Sequence, residues 1–182
     1  MSIWSLPESI SVGGIDYHIN ADFRDILTVI KHLENENNPE WLRWKIAVAV
    51  FYDGEIPDKH AQEAMQKMAE FISYENANDR PGPKLIDWEQ DASAIVSGVN
   101  KVCGKEIRSM RFLHWWTFLG YFNEIGEGQL QTIVSIRDKK KRGKKLEKWE
   151  QEYYKDNKSK IDIQKKYTTE EIEQIESLKK WL

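Results

Sequence analysis

The spacing of apolar residues changes along this chain, and each change marks an element. Ile10, Val12, Ile15, Tyr17 and Ile19 alternate with other residues around Gly13-Gly14. Alternation about a Gly-Gly pair predicts a β-hairpin over residues 8–19, because glycine accepts the positive φ angles of a two-residue turn. From Asn20 the spacing becomes three and four. Phe23, Ile26, Leu27, Ile30 and Leu33 then share one face of an amphipathic helix of about four turns, with Asn20 or Asp22 available as its cap. A second helix starts at Asn38-Pro39-Glu40, with Pro39 at the first helical position, and runs through WLRWKIAVAVFY to Asp53-Gly54. A third opens at Pro57-Asp58 and repeats through Ala61, Ala64, Met65, Met68, Phe71 and Ile72.

The stretch NANDRPGPK, residues 76–84, reads as a loop, being dense in turn formers and prolines. A fourth helix is expected from near Asp87 to Cys103-Gly104. Next comes FLHWWTFLGYF, residues 112–122, where Phe112, Trp115 or Trp116, Leu119 and Phe122 mark one face and Leu113, Phe118 and Tyr121 make the others apolar. A helix apolar nearly all round is normally buried. Two adjacent tryptophans diverge by about 100° around it, so one belongs in the core and the other at its edge or on a contact surface. Gly126-Glu127-Gly128 interrupts the pattern, and Leu130, Ile133, Val134 and Ile136 or Arg137 restart it. LEKWEQEYYKDNKSK has helix formers but a thin stripe of Leu146, Trp149 and Tyr153. TTEEIEQIESLKKWL reads as a last helix with the stripe Ile172, Ile175, Leu178 and Leu182, Thr168 or Thr169 preceding Glu171 as in a capping box. The fold class expected is mainly all-α: a bundle of about six or seven helices, preceded by the short hairpin. Residues 1–136 form its body, and residues 137–182 a charged helical extension docked less tightly.

Charge sharpens that division. Residues 1–136 hold 12 basic and 20 acidic side chains, whereas residues 137–148, RDKKKRGKKLEK, hold 8 basic and 2 acidic; residues 149–182 hold 7 and 8. At 182 residues the chain has the length of one domain, or of one domain with an extension. The single cysteine, Cys103, excludes an internal disulfide framework and a multi-cysteine zinc site, and fits a reducing compartment. MSIWSLPESISV lacks the basic stretch and apolar run of a signal peptide, so none is expected. The low-polarity run at 112–122 falls short of the roughly 20 residues needed to cross a bilayer.

Candidate chemistry is sparse. The glycines spell neither a dinucleotide fingerprint nor a phosphate-binding loop. His18, His32, His60 and His114 are scattered, without metal-ligand spacing. Asp53 and Asp58 lack the spacing of a calcium loop. Cys103 beside a helix-ending glycine reads as a small buried residue rather than a nucleophile, and the acids of Asp87-Trp88-Glu89-Gln90-Asp91 suit a helix start through the dipole alone. No catalytic, cofactor or metal site is expected, and the chain reads as non-enzymatic. What remains is contact surface. The candidate partner-binding residues are Trp115, Trp116, Arg137, Lys139, Lys140, Lys141, Arg142, Lys144, Lys145 and Trp149. A run this basic attracts phosphate backbones with salt-sensitive affinity, or an acidic protein surface.

The blocks HWWTFLGYF, EIGEG and IVSIRDKKKRGKKLEKWEQEYYKDN, with ISVGGIDYHINADFRDIL and LIDWEQDASAIVSGVNKVCG, resemble the gene-product-fifteen family of phage and prophage proteins of Gram-positive bacteria. The likeness covers most of residues 10–160, and the His-Trp-Trp block is its most specific part; TTEEIEQIESLKKWL departs from it. It implies a place in the tail-assembly region beside the long tape-measure protein, hence a tail-assembly or chaperone role in the cytoplasm of the bacterial host. Phage tail proteins, above all the tape measure, are the partners so implied, with no membrane and no cofactor. Amphipathic helices in the C-terminal third could offer the groove such a role needs. The alternative is a phage accessory protein that binds nucleic acid through residues 137–148.

Overall fold

The N-terminal hairpin forms where glycine permits it. In a computed structural model, which describes residues 4–74 and 82–164, β1 (Ser9–Val12) and β2 (Ile15–Ile19) pair antiparallel with Val12 opposite Ile15. Gly13 and Gly14 turn the chain at φ 60° and 82°, both in the region that primed hairpin turns require. A short third strand, β3 (Tyr52–Asp53), adds to β2 through Ile19–Tyr52 and His18–Asp53. The apolar pattern gave no sign of it, since Tyr52 ends a helical run. Eight α-helices follow or interleave among the described residues, so the chain is mainly α with a short hairpin. The helix expected over 168–182 lies outside the described residues.

Two compact units divide the chain: residues 4–74 with 114–116, and residues 82–113 with 117–164. In the first, α1 (Phe23–Leu33) starts at Asp22, whose carboxylate accepts the Arg24 amide N–H at 3.0 Å. This leaves Phe23, Ile26 and Val29 on the buried face. Next, α2 (Glu40–Phe51) has Pro39 as its cap rather than its first helical residue, and it packs along α1. The third helix, α3 (Ala61–Ser73), buries Ala64, Met68 and Phe71. Tyr52 sits between them with its hydroxyl donating to the Ala64 carbonyl at 3.0 Å, and burial pushes its pKa up to about 12.

In the second unit Asp87 organises a turn by accepting the Glu89 and Gln90 amide N–H groups. Only after it does α4 (Ala92–Cys103) begin, five residues beyond the sequence expectation. Then come α5 (Trp115–Asn123), whose first two residues belong to the first unit, α6 (Gln129–Lys141), α7 (Lys148–Asp156) and the one-turn α8 (Lys158–Ile161). Trp88 packs on Phe118 and Phe122 with ring centroids 6.3 and 5.1 Å away. Ile133 and Ile136 of α6 close on Ile161, with Leu146, Tyr153 and Tyr154 around them. The 136/137 boundary read from charge thus falls inside a continuous helix.

Candidate partner-binding surfaces

Residues 112–114 precede α5 rather than starting it. His114 pairs with Asp22 as an isolated antiparallel bridge, and its Nδ1 accepts the Trp116 amide N–H at 3.1 Å, capping the helix from outside. That bond leaves the ring proton on Nε2, 3.2 Å from the Pro7 carbonyl oxygen. Burial pushes the His114 pKa below its ordinary value, opposed by the Pro7 carbonyl and Glu8. The tryptophans then diverge as helical geometry demands. Trp115 is 1% exposed, its indole N–H donating to the Ile72 carbonyl. Trp116 is partly buried, donates to the Phe71 carbonyl and lies over the rings of Phe71 and Tyr74, at 5.2 and 4.4 Å between centroids. Both indole N–H groups are therefore spent on α3, which places the pair in the packing of the first unit.

The basic run divides in the same way. Arg137 is 4% exposed, and its guanidinium meets Asp91 through two parallel bonds, 2.6 and 2.9 Å long. Its remaining N–H groups donate to the carbonyls of Leu85, Lys160 and Ile161, so this cation holds the second unit together. Lys139 donates at 2.7 and 2.8 Å to the buried Glu150, which also accepts the Glu147 amide N–H in a capping box at the start of α7. The Lys139 ammonium, then the Glu147 amide, hold the Glu150 carboxyl below the usual range. Lys140 pairs with Asp162 and lies 3.7 Å from the Tyr154 ring centre. Arg142 pairs with Asp138 on the surface. That leaves Lys141, Lys144 and Lys145 exposed, with no ion pair to any described residue, along with the exposed ring of Trp149, which donates to Glu147.

A different surface is open in the first unit. Between α2 and α3, floored in part by the connection that carries Ile56, runs a groove of about 800 Å3. Trp41, Trp44 and Val48 line it from α2, and Met65 and Ala69 from α3. Trp41 is 67% exposed. Glu40, Lys45, Glu55 and Asp58 supply charge along it. The signal for this groove was legible in WLRWKIAVAVF: a helix apolar on every side has more apolar surface than one core face can cover, and here only Ala47 and Phe51 are fully buried. Long flexible methionine and flat tryptophan beside small alanine suit an apolar helix of varied sequence.

No group of three or more histidine, cysteine or acidic side chains among the described residues is placed to hold a metal ion. No described helix is long and apolar enough to cross a membrane. Set beside known proteins, residues 4–167 match the family model described as Bacteriophage Gp15 protein. No curated protein and no solved structure matches the chain.

Proposed function

The chain belongs to the Bacteriophage Gp15 protein family, and we propose that it is a non-enzymatic tail-assembly protein, a chaperone of the tape-measure protein in the host cytoplasm. A tape measure is a long, largely helical chain that exposes apolar stripes until the tail tube encloses it. Shielding such a stripe needs an apolar trough with a charged margin, and no reacting group. The observation that carries the reading is the α2–α3 groove with Trp41 and Met65 on its two walls. Co-expression with tape-measure fragments tests it. A fragment should gain solubility and elute with the chain, and Met65→Glu should abolish both while leaving the melting midpoint within a few degrees. Fragments whose solubility and elution do not change would sink the reading.

A nucleic-acid role rests on a narrower base. Exposed Lys141, Lys144 and Lys145 crowd the end of α6 and the turn after it. Three phosphate contacts give a salt slope of about −2.7 for duplex DNA. Fluorescence anisotropy on a labelled duplex at two salt concentrations reads that slope directly. Binding that Lys144→Glu/Lys145→Glu does not weaken excludes this surface as the site. Arg137, Lys139 and Lys140 are engaged inside the second unit, so the groove is the favoured surface.

A further inference from the structure

The charges along the α2–α3 groove are unbalanced. Its charged lining is Glu40 at the first residue of α2, Lys45 farther along that helix, and Glu55 and Asp58 in the connection to α3. All four are exposed, and none forms an ion pair with a described residue. Between them the walls are apolar, with Trp44 and Val48 on α2 and Met65 on α3. The exposed polar groups of the α3 wall, Gln62 and Gln66, are neutral. We infer that the groove selects an amphipathic helix of a partner protein whose apolar stripe is flanked by lysine or arginine, and disfavours one flanked by acids.

The apolar walls take any apolar stripe alike, because burial of hydrocarbon is non-directional and blind to charge. Charge at the margin therefore carries the selection, by attracting complementary partners and repelling the others. The first unit agrees with its rim: residues 4–74 hold 6 basic and 12 acidic side chains. That excess argues against a second copy of the same unit as occupant, since acids would meet acids. Exposed pairs contribute modestly one by one, so three carboxylates against one ammonium set a preference of about tenfold in dilute salt. The inference rests on the groove being the docking surface, as proposed above, but not on the tape measure being its occupant.

Two synthetic helices of about 18 residues test it on the full chain. Both carry one stripe of leucine and alanine at three-and-four spacing; lysines flank it in the first, glutamates in the second. Fluorescence anisotropy should show the lysine peptide binding about tenfold tighter at about 50 mM salt, with most of that gap gone at about 500 mM. Glu40→Gln/Glu55→Gln/Asp58→Asn should shrink the gap to about twofold. Asp16→Asn/Asp25→Asn/Glu36→Gln removes as much charge from exposed positions outside the groove, and should leave the gap in place. Equal binding of the two peptides, or equal effects of the two triple variants, would overturn the inference. So would a dimer that Met65→Glu dissolves, since the groove would then belong to a second copy. A chain that distinguishes the peptides but captures no tape-measure fragment would uphold the inference and refute the chaperone reading alone.

Discussion

Arg137 and Asp91, 46 positions apart, face each other fork to fork in the second unit, their side chains 4% and 1% exposed. Removing one partner of a buried pair strands the other charge away from water, which costs about 3–5 kcal/mol. Asp91 also accepts the Asp87 amide N–H, so Asp91→Ala loosens the turn that leads into α4. Urea unfolding of Asp91→Ala should show a loss in that range. A loss under about 1 kcal/mol would mean that water reaches the pair.

The two tryptophans should separate in the same assay. Trp115→Ala opens a core cavity and is expected to cost about 3–5 kcal/mol. Trp116→Ala removes a ring that is only partly buried, and about 2 kcal/mol is the expected scale. Equal losses would contradict the division of roles between core and edge.

Histidine 114 sets a pH dependence whose sign follows from its bonds. Its neutral ring accepts the Trp116 amide at Nδ1, and a second ring proton would turn that acceptor into a donor facing a donor. Unfolded, the ring takes up a proton near pH 6.5; folded, it does so only at lower pH. Below pH 6.5 the unfolded state therefore binds more protons, and stability is lost as the pH drops; above that value this contribution is flat. Melting midpoints at pH 8 and pH 5.5 should differ, and His114→Asn, which keeps an acceptor but does not titrate, should narrow the difference.

Trypsin should cut early at Arg142, Lys144 or Lys145, because residues 141–145 are exposed. The pieces should nevertheless stay together. Ile161 is packed on Ile133 and Ile136, and Gln90 donates to the carbonyls of Lys160 and Asp162. A denaturing gel would show two bands from material that elutes as one native peak. Separation of the pieces on a native column would show that the packing after Gly143 is weak.

The hairpin turn offers a paired comparison. A Cβ on Gly13 would come within 2.5 Å of the His60 ring, whereas one on Gly14 meets nothing within 4 Å. Both sites have positive φ, so each alanine carries a backbone strain of about 1 kcal/mol. Gly13→Ala should cost more, since the His60 ring must also move. Matching losses in thermal melts would refute the close approach.

Much of this fold was readable because its signals are local. Alternation about Gly13-Gly14 marked the hairpin, and the three-and-four spacing from Phe23 marked α1, with Asp22 the cap that forms. The failures share a physical cause, which is dependence on distant partners. Residues 112–114 look helical by hydrophobicity, yet the bridge to Asp22, more than 90 positions away, holds His114 extended. The three-and-four spacing offers Arg137 beside Ile136 as the next position of the α6 stripe, but only Asp91 and three carbonyls brought by the fold make it a buried cation. The sequence points to the Trp115–Trp116 pair and the basic run as contact surface, whereas an open apolar groove lies on α2 and α3. Their excess of apolar faces was visible, but which face stays open depends on how α1 packs.

The acceptors around Arg137 also bear on how the second unit is made. Its guanidinium bonds to Leu85 and Asp91 early in the chain and to Lys160 and Ile161 late in it. On the ribosome, at about 5–20 residues per second, a nascent chain that has emerged only through α6 holds that charge with two of its acceptors still to come. Ile133 and Ile136 lack their lid for the same interval. The second unit therefore cannot close until residue 161 has cleared the exit tunnel, and until then the uncovered isoleucines of α6 and its half-matched cation stand open to whatever is nearby.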